Sequence, residues 1–402
     1  MKKKILIRIG SLRHGGAEKV LVTFLKKLPK DKYEVDLLLN LYSGKYLTEV
    51  PDWVNVMFLN RGEMITTNRP KDIPKKIYRV VYQQLLKKYP KILYKRKLKN
   101  KQYDIEFAAI HGFMDEVINS PLKSSKKLMW IHNDLTQVSG YTPEKIRRFF
   151  NYDKVLVISE KIQDTFLSLA KTDEEKSKIV RIYNPLDTDE ILTKSQAEIP
   201  SIVNQQQSTK NNVSLNGVGN HQQSTINNPP LFISVGTVFP QKGFDRLLRA
   251  HKRLLDEGFP HKVLIIGDGY DFENVKKLKT ELGVDESATM LGFTDNPYPY
   301  FKAADFYILS SRYEGFPTVL FEAITLKKNI IATDVSGVSE MLEDGKLGLI
   351  TENSEDGIYN GMKLALTNPE NFHTYQDNLQ NYEMPFNLEN SVNSMMQIID
   401  KL

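Results

Sequence analysis

The chain has 402 residues, 41% of them hydrophobic and 26% charged, with no cysteine and a formal net charge of +6. At roughly 150 residues per domain, that length suggests two or three domains, each able to bury a sizeable core. The composition excludes a wholly disordered chain. The missing cysteine excludes disulfide scaffolds, cysteine-ligated zinc and thiol nucleophiles. The charge is uneven. Segment 71–101 holds twelve Lys/Arg and one acid, and so carries +11, whereas the rest of the chain sums to −5. Such a local patch is a surface for an anionic partner.

The basic start, Lys2 to Lys4, leads into an apolar stretch of only Ile5 to Ile9. This reads as a first strand and not as a signal peptide. No run approaches the ~18 apolar residues of a membrane span. Further strands are expected at Glu34–Leu39, Asp104–Ala108, Lys127–Ile131 and Lys154–Ile158, with helices at Ala17–Leu28 and Glu160–Leu169. The second half repeats the scheme. Strands are expected at Leu231–Val235, Lys262–Ile266, Asp305–Leu309 and Asn329–Thr333, and helices at Phe244–Glu257, Phe272–Leu282 and Thr318–Leu326. Alternation of strand and helix predicts parallel sheets covered on both faces. Two such series predict two doubly wound α/β domains, with ligands at the carboxyl ends of the strands.

Between the series, residues 201–230 hold twelve Asn/Gln, and the heptad at 206–212 recurs almost unchanged at 222–228. This reads as a flexible low-complexity loop. The division is then 1–187 for an N-terminal domain, 188–230 for a linker, 231–380 for a C-terminal domain and 381–402 for a closing helix that packs back on the first.

Several loops carry candidate chemistry. After Asp305–Leu309 come Ser310-Ser311-Arg312-Tyr313-Glu314-Gly315-Phe316-Pro317-Thr318-Val319, and then Glu322 inside a helix. Gly315 permits a tight turn, and Pro317 suits the first helical position. The amides of Thr318 and Val319 then face outward at a positive helix end, a phosphate site. Glu314 and Glu322 would repel a phosphate, but they suit sugar and ribose hydroxyls. Read plainly, Glu314 is a cap and Glu322 a surface residue. Gly236-Thr237 through Lys242-Gly243 again runs from strand end to helix start, with Lys242 placed for a diphosphate or simply solvated. Gly267-Asp268-Gly269 closes another strand but lacks the three-glycine dinucleotide fingerprint. Gly292 and Phe293 offer groups to a base. In the first half, Gly15-Gly16-Ala17-Glu18 opens a helix with the same anion-friendly geometry. His132 lies just past a strand end, with His111 a weaker candidate. Seven histidines without paired spacing predict no metal site.

These residues together resemble the retaining glycosyltransferases of family 4. Glu314 and Glu322, a Glu–seven residues–Glu signature inside Glu-Gly-Phe-Pro, carry the resemblance. Gly15-Gly16-Ala17-Glu18, Asn184-Pro185, Gly236, Lys242-Gly243, Gly267-Asp268-Gly269, Leu291-Gly292-Phe293 and Ser336-Gly337 follow in the family's order. The likeness spans most of the chain and is strongest from Leu231 to Ile350. It is specific for the family and unspecific for the substrate. It implies the GT-B fold, two Rossmann-like domains facing across a cleft. It further implies Glu322 at the nucleotide ribose, Glu314 at the donor sugar and the amides from Phe316 to Val319 with Lys242 at the diphosphate. Gly292 and Phe293 would flank the base, His132 would lie beside the donor sugar, and Gly16 would let the first loop approach donor or acceptor. No metal or other cofactor is implied, since protein donors stabilise the leaving diphosphate. One position departs from the family. Arginine commonly follows Gly236, and here Thr237 stands there. Arg312 is the expected substitute cation.

Within the basic segment, Ile77, Val80, Val81 and Leu85 keep helical spacing among lysines. This predicts a basic amphipathic helix on an anionic membrane surface, or else a solvated helix packed on its own domain. No recognised nucleic-acid module accompanies the charge. The resulting expectation is a cytoplasmic enzyme, peripheral on the inner face of the cell membrane. It would move a hexose or N-acetylhexosamine from a UDP-sugar to a lipid-linked saccharide in capsule, exopolysaccharide or glycan assembly. The rivals are a catalytically weak GT-B subunit that binds a partner transferase or polypeptide, a sugar-nucleotide epimerase and, more distantly, a nicotinamide dehydrogenase.

Overall fold

Strands buried on both faces set the architecture. The computed structural model describes residues 2–13, 15–61, 70–198, 229–384 and 387–402. The Asn/Gln-rich segment 201–228, with its duplicated heptads, lies outside the described residues. The chain divides into two units, Met1–Leu186 with Phe386–Leu402, and Asp187–Pro385.

The first unit contains β1 (Lys3–Ile9), β2 (Tyr33–Tyr42), β3 (Asn55–Arg61), β4 (Ile105–Ala108), β5 (Lys126–Ile131), β6 (Lys154–Val157) and β7 (Ile179–Arg181). They form one parallel sheet in the order β3-β2-β1-β4-β5-β6-β7. Central strands such as β4 are buried at every residue, as helices on both faces require. Edge strands β3 and β7 escape the sequence reading. β3 is only half-buried and β7 has three residues, so neither carries a strong apolar run. The helix Leu388–Lys401 joins this unit. Lys3 Nζ donates to the Ile399 carbonyl at 2.7 Å, and the Tyr33 hydroxyl donates to Asp400 Oδ1 at 2.6 Å.

The second unit contains β8 (Leu231–Val235), β9 (Lys262–Ile266), β10 (Ala288–Gly292), β11 (Phe306–Leu309), β12 (Asn329–Thr333) and β13 (Leu349–Thr351). Their order is β10-β9-β8-β11-β12-β13, again parallel. The first residues of the expected linker 188–230 are corrected here. Thr188–Lys194 is a helix of the second unit, capped by the Asp187 side chain, which accepts from the Glu190 amide at 3.0 Å. Asn296 Nδ2 donates to the Lys194 carbonyl at 2.8 Å and ties that helix down. Polar contacts of this kind leave no hydrophobic signature in the sequence.

The helix Phe244–Asp256 lays Leu247, Leu248, His251 and Leu254 into the core. His251 and His261 are buried there in a line of hydrogen bonds. His261 Nδ1–H donates to the Phe259 carbonyl at 2.8 Å, so its Nε2 must accept from His251 Nδ1–H at 2.7 Å. His251 Nε2 in turn accepts from the Ser287 hydroxyl at 2.8 Å. Both rings are neutral in this arrangement. Burial lowers both, and it takes His251, next to the second ring, down to about 3. The unfolded chain therefore binds protons first as pH falls below about 6.5; His251 contributes a loss approaching about 1.4 kcal/mol per pH unit, and His261 adds to it in the same direction. Stability is expected to be level above pH 7 and to drop between pH 6.5 and 5, before most carboxylates titrate. Urea denaturation at pH 7.5 and 5.5 measures this. An equal drop in His251→Leu/His261→Leu would show that the pair is not responsible.

Candidate active site

In the second sheet the chain reverses direction of travel between β8 and β11, the crevice where open parallel sheets bind ligands. The loops after β8 and β11 meet there. Gln241 Nε2 donates to the Tyr313 carbonyl at 2.8 Å, the Arg312 amide to the Gln241 carbonyl at 2.7 Å and the Ser310 hydroxyl to the Lys242 carbonyl at 2.7 Å. Gly243 is the pivot. It is left-handed, with φ of +66°, and a Cβ there would stand 2.1 Å from the Ser310 carbonyl oxygen.

This stitching sets Lys242 Nζ 2.6 Å from Glu314 Oε1. The Ser311 hydroxyl donates to the same oxygen at 2.6 Å. Glu314 is only 6% exposed. The helix Thr318–Thr325 starts just beyond, with Pro317 as its cap and not its first residue. The Leu320 and Phe321 amides already donate to the Pro317 carbonyl. The Thr318 and Val319 amides have no helical acceptor, as at any helix start. Glu322, also buried, accepts from the Tyr298 hydroxyl at 3.2 Å. Beneath them the fully buried Tyr307 hydroxyl finds no partner. Burial holds it well above the usual phenol range, reinforced by Glu314 and Glu322.

Gly236, Gly267 and Gly292 line up across the ends of β8, β9 and β10. The Gly236 amide donates to the Ile266 carbonyl at 3.0 Å and the Gly267 amide to the Gly292 carbonyl at 2.9 Å. Gly267, with φ of +149°, passes so close that a Cβ would meet the Gly236 oxygen at 1.8 Å. Thr237 follows on this rim, and Phe293, 43% exposed, extends beyond β10. Gly315 and Phe316 complete the turn before Pro317.

Arg312 is engaged elsewhere. Its guanidinium grips Asp245 with two bonds, of 2.8 and 2.7 Å, and donates to the Pro240 carbonyl at 2.6 Å. The pairing lowers Asp245 despite its burial. The expectation that Arg312 stands in for a cation at Thr237 meets this correction: a planar fork matched to a carboxylate is taken. It holds the Lys242 loop in place instead. Sequence reasoning also missed Ser311 and Tyr298. Ser311 was legible as a hydroxyl three residues before Glu314, whereas Tyr298 comes from a distant helix.

The first unit holds Gly16 and His132. Gly16 opens the helix Gly16–Lys27. There the Glu18 carboxylate folds back beside Gly15, and its Oε2 lies 2.0 Å from where a Gly15 Cβ would stand. Burial raises Glu18. That helix start already carries its own acid and is a poorer phosphate site than its glycines suggest. His132, at the end of β5, is 9% exposed, and its Nε2–H donates to the Ala109 carbonyl at 3.1 Å. Burial takes it down to about 3. The ring is therefore neutral, with Nδ1 as its acceptor. His111 has a buried Nδ1 without a partner. Among the described residues no three His, Asp or Glu gather as a metal site.

Residues 219–382 match the family model described as glycosyl transferases group 1. The chain is a glycosyltransferase that carries a group 1 domain over those residues. The transferase is 27% identical over 375 residues, 90% of each chain, to the N-acetylgalactosamine-N,N'-diacetylbacillosaminyl-diphospho-undecaprenol 4-alpha-N-acetylgalactosaminyltransferase of Campylobacter jejuni. It is 31% identical to the lipopolysaccharide core biosynthesis glycosyltransferase LpsE of Rhizobium meliloti, over 31% of this chain and 35% of that one. The crystal structure of Anabaena HepE in complex with UDP and glucose matches the whole of both chains, with a TM-score of 0.72 and 17% identity. The transferase thus has the two Rossmann-like halves of the GT-B fold.

Proposed function

We propose that the transferase moves a hexose or N-acetylhexosamine from a UDP-sugar, with retention of configuration, to a lipid-linked saccharide. The observation that carries this reading is the buried Lys242–Glu314 pair beside the start of the helix Thr318–Thr325. In the ligand-free protein the two charges neutralise each other. A nucleoside diphosphate gives Lys242 a second anion, with the Thr318 and Val319 amides completing the cradle. Glu314 then turns to a donor-sugar hydroxyl and Glu322 to the ribose. Gly292 and Phe293 flank the base. Lys242 and the helix end stabilise the departing diphosphate, so the reaction needs no metal. The UDP bound to HepE and the diphospho-undecaprenol named for the Campylobacter relative support the choice of donor and acceptor.

Thermal unfolding with UDP, GDP, ADP and CMP tests this. A ligand at 100 times its Kd adds about 2.7 kcal/mol, or roughly 5–10 °C for a unit of this size. The expected pattern is a shift with UDP that Glu322→Ala abolishes. No shift with any nucleotide would refute the enzyme reading. A shift without transfer would favour the rival, a catalytically weak subunit, which the capture of Arg312 by Asp245 supports.

The acceptor's lipid also explains the basic segment. The helix Ile73–Lys88 turns Leu86 to the core but exposes Ile77, Val80, Val81 and Leu85. The predicted stripe therefore faces outward, with lysines beside it, which suits an anionic bilayer surface. Each such cation adds about 1 kcal/mol near an anionic leaflet. No helix among the described residues is long and apolar enough to cross a membrane. The protein is expected to cosediment with vesicles containing phosphatidylglycerol and to release in high salt, with Ile77→Asp/Val81→Asp weakening binding at least ten-fold. Equal binding to neutral vesicles would count against an electrostatic surface contact.

A further inference from the structure

Tyr307 carries a hydroxyl that the ligand-free protein does not use. It lies in β11, paired with Ile233 of β8 on one side and Ile330 of β12 on the other. Its neighbours Phe306 and Ile308 join one apolar core, so the alternation of a strand turns Tyr307 to the opposite face of the sheet. There its ring stacks on Phe301 of the helix Tyr298–Ala303, with 5.4 Å between centroids. Tyr298, one turn earlier on that helix, is the residue that donates to Glu322. Tyr307 is wholly buried, and its hydroxyl has no partner. Such groups are rare, because each has lost its water without gaining a hydrogen bond. Phenylalanine would fill the same space without that loss. The hydroxyl is therefore explained by a state other than the ligand-free one.

The charges around it name the partner. Two carboxylates bear on the phenol, Glu314 more strongly than Glu322. Glu322 already accepts from Tyr298. Glu314 Oε1 is held by Lys242 and by Ser311, each at 2.6 Å. On the transfer reading above, a diphosphate draws Lys242 away. Oε1 then keeps Ser311 alone, in a buried site where water does not replace the lost donor. A protonated phenol supplies that donor, and it brings no charge to compete with Lys242 for the diphosphate. We propose that Tyr307 is a positioning residue whose hydroxyl donates to Glu314 once Lys242 has turned to the diphosphate. It keeps the carboxylate ionised and aimed at the donor sugar. The proposal rests on the transfer reading and adds a residue to it.

Tyr307→Phe removes one oxygen and little packing. The unliganded variant is expected to melt no lower than the wild type, since the lost hydroxyl had no partner. UDP is expected to bind about ten-fold more weakly, which halves the thermal shift seen at 100 times the wild-type Kd. Transfer from a UDP-sugar should fall about ten-fold in kcat/KM. In a Glu314→Ala background the same substitution is expected to leave the UDP-induced shift unchanged, because the acceptor is gone. The single variant decides alone if Glu314→Ala does not fold. A lower melting point with the UDP shift intact would make the hydroxyl merely structural and overturn the proposal. So would an equal loss in the Glu314→Ala background. A variant that matches a UDP-binding wild type in both shift and rate sinks this role for Tyr307 alone. No shift in the wild type sinks the donor reading, and this one with it.

Discussion

Lys242→Ala is expected to slow sugar transfer about 10²–10³-fold, the usual effect of removing one donor to a developing negative charge. Two features make Lys242 hard to replace. Thr237 brings no cation to the rim after Gly236, and Arg312 is committed to Asp245. The same substitution leaves Glu314 buried with Ser311 as its remaining donor at that oxygen. An unmatched carboxylate is also a poor neighbour for a diphosphate. The UDP-induced thermal shift is therefore expected to shrink along with the rate. Steady-state kinetics with a UDP-sugar and a lipid-linked acceptor would read this as a fall in kcat. A loss confined to KM would mean that Lys242 binds the ground state alone. Arg312→Lys is the informative companion. It keeps the charge and loses the fork, so it should loosen the Lys242 loop and lower activity without abolishing UDP binding. Full activity in Arg312→Lys would show that the loop needs no such brace.

Glu106→Ala is expected to be the most damaging substitution for stability in the first unit. Glu106 lies in β4 and is fully buried. It accepts from the Ser120 hydroxyl at 2.8 Å and the Ser125 hydroxyl at 3.0 Å, and also from the Tyr94 hydroxyl and the Lys127 ammonium. Burial lowers Lys127, with Glu106 pulling the other way. Without the carboxylate, Lys127 is left in a largely buried site, and breaking such a pair costs about 3–5 kcal/mol. For a unit of this size that is roughly 10 °C or more in Tm. Glu106→Leu paired with Lys127→Met should recover most of the loss, because an apolar pair of similar volume needs no solvation. Differential scanning calorimetry of the single and double variants decides it. An additive double variant would show that the two residues do not act as a pair. The cluster matters beyond stability, since Tyr94 belongs to the helix Pro90–Arg96, the second half of the basic segment.

The candidate loops were legible because their requirements are largely local. A glycine such as Gly267 is fixed by a backbone passage too tight for any Cβ, and Pro317 marks a helix start by its missing amide. The central strands β1, β4, β8 and β11 were legible because burial on both faces leaves a mostly apolar run, broken only by single polar residues such as Arg8 and Glu106. The edge strands β3, β7 and β13 were not, since short or half-exposed strands lack that run. The helix Thr188–Lys194 was read as linker because capping and amide contacts hold it, and periodicity does not show these.

What the sequence determined by itself was the class of fold, the likeness to glycosyltransferases and the positions of the candidate loops, all consequences of neighbouring residues and their spacing. Partnership was decided only in the tertiary structure. Arg312 could serve a diphosphate or Asp245, and nothing in its spacing says which. The meeting of two loops at the sheet's switch point gave it to Asp245. The stripe Ile77–Leu85 could face its own core or the outside, and the packing of Leu86 turned it outward. Arg8, Asn40 and Glu116 stand far apart in the chain and share a cavity because parallel strands bring their carboxyl ends together. A charged side chain pairs with whatever the fold places within a few ångströms, and that distance is a property of the packed chain.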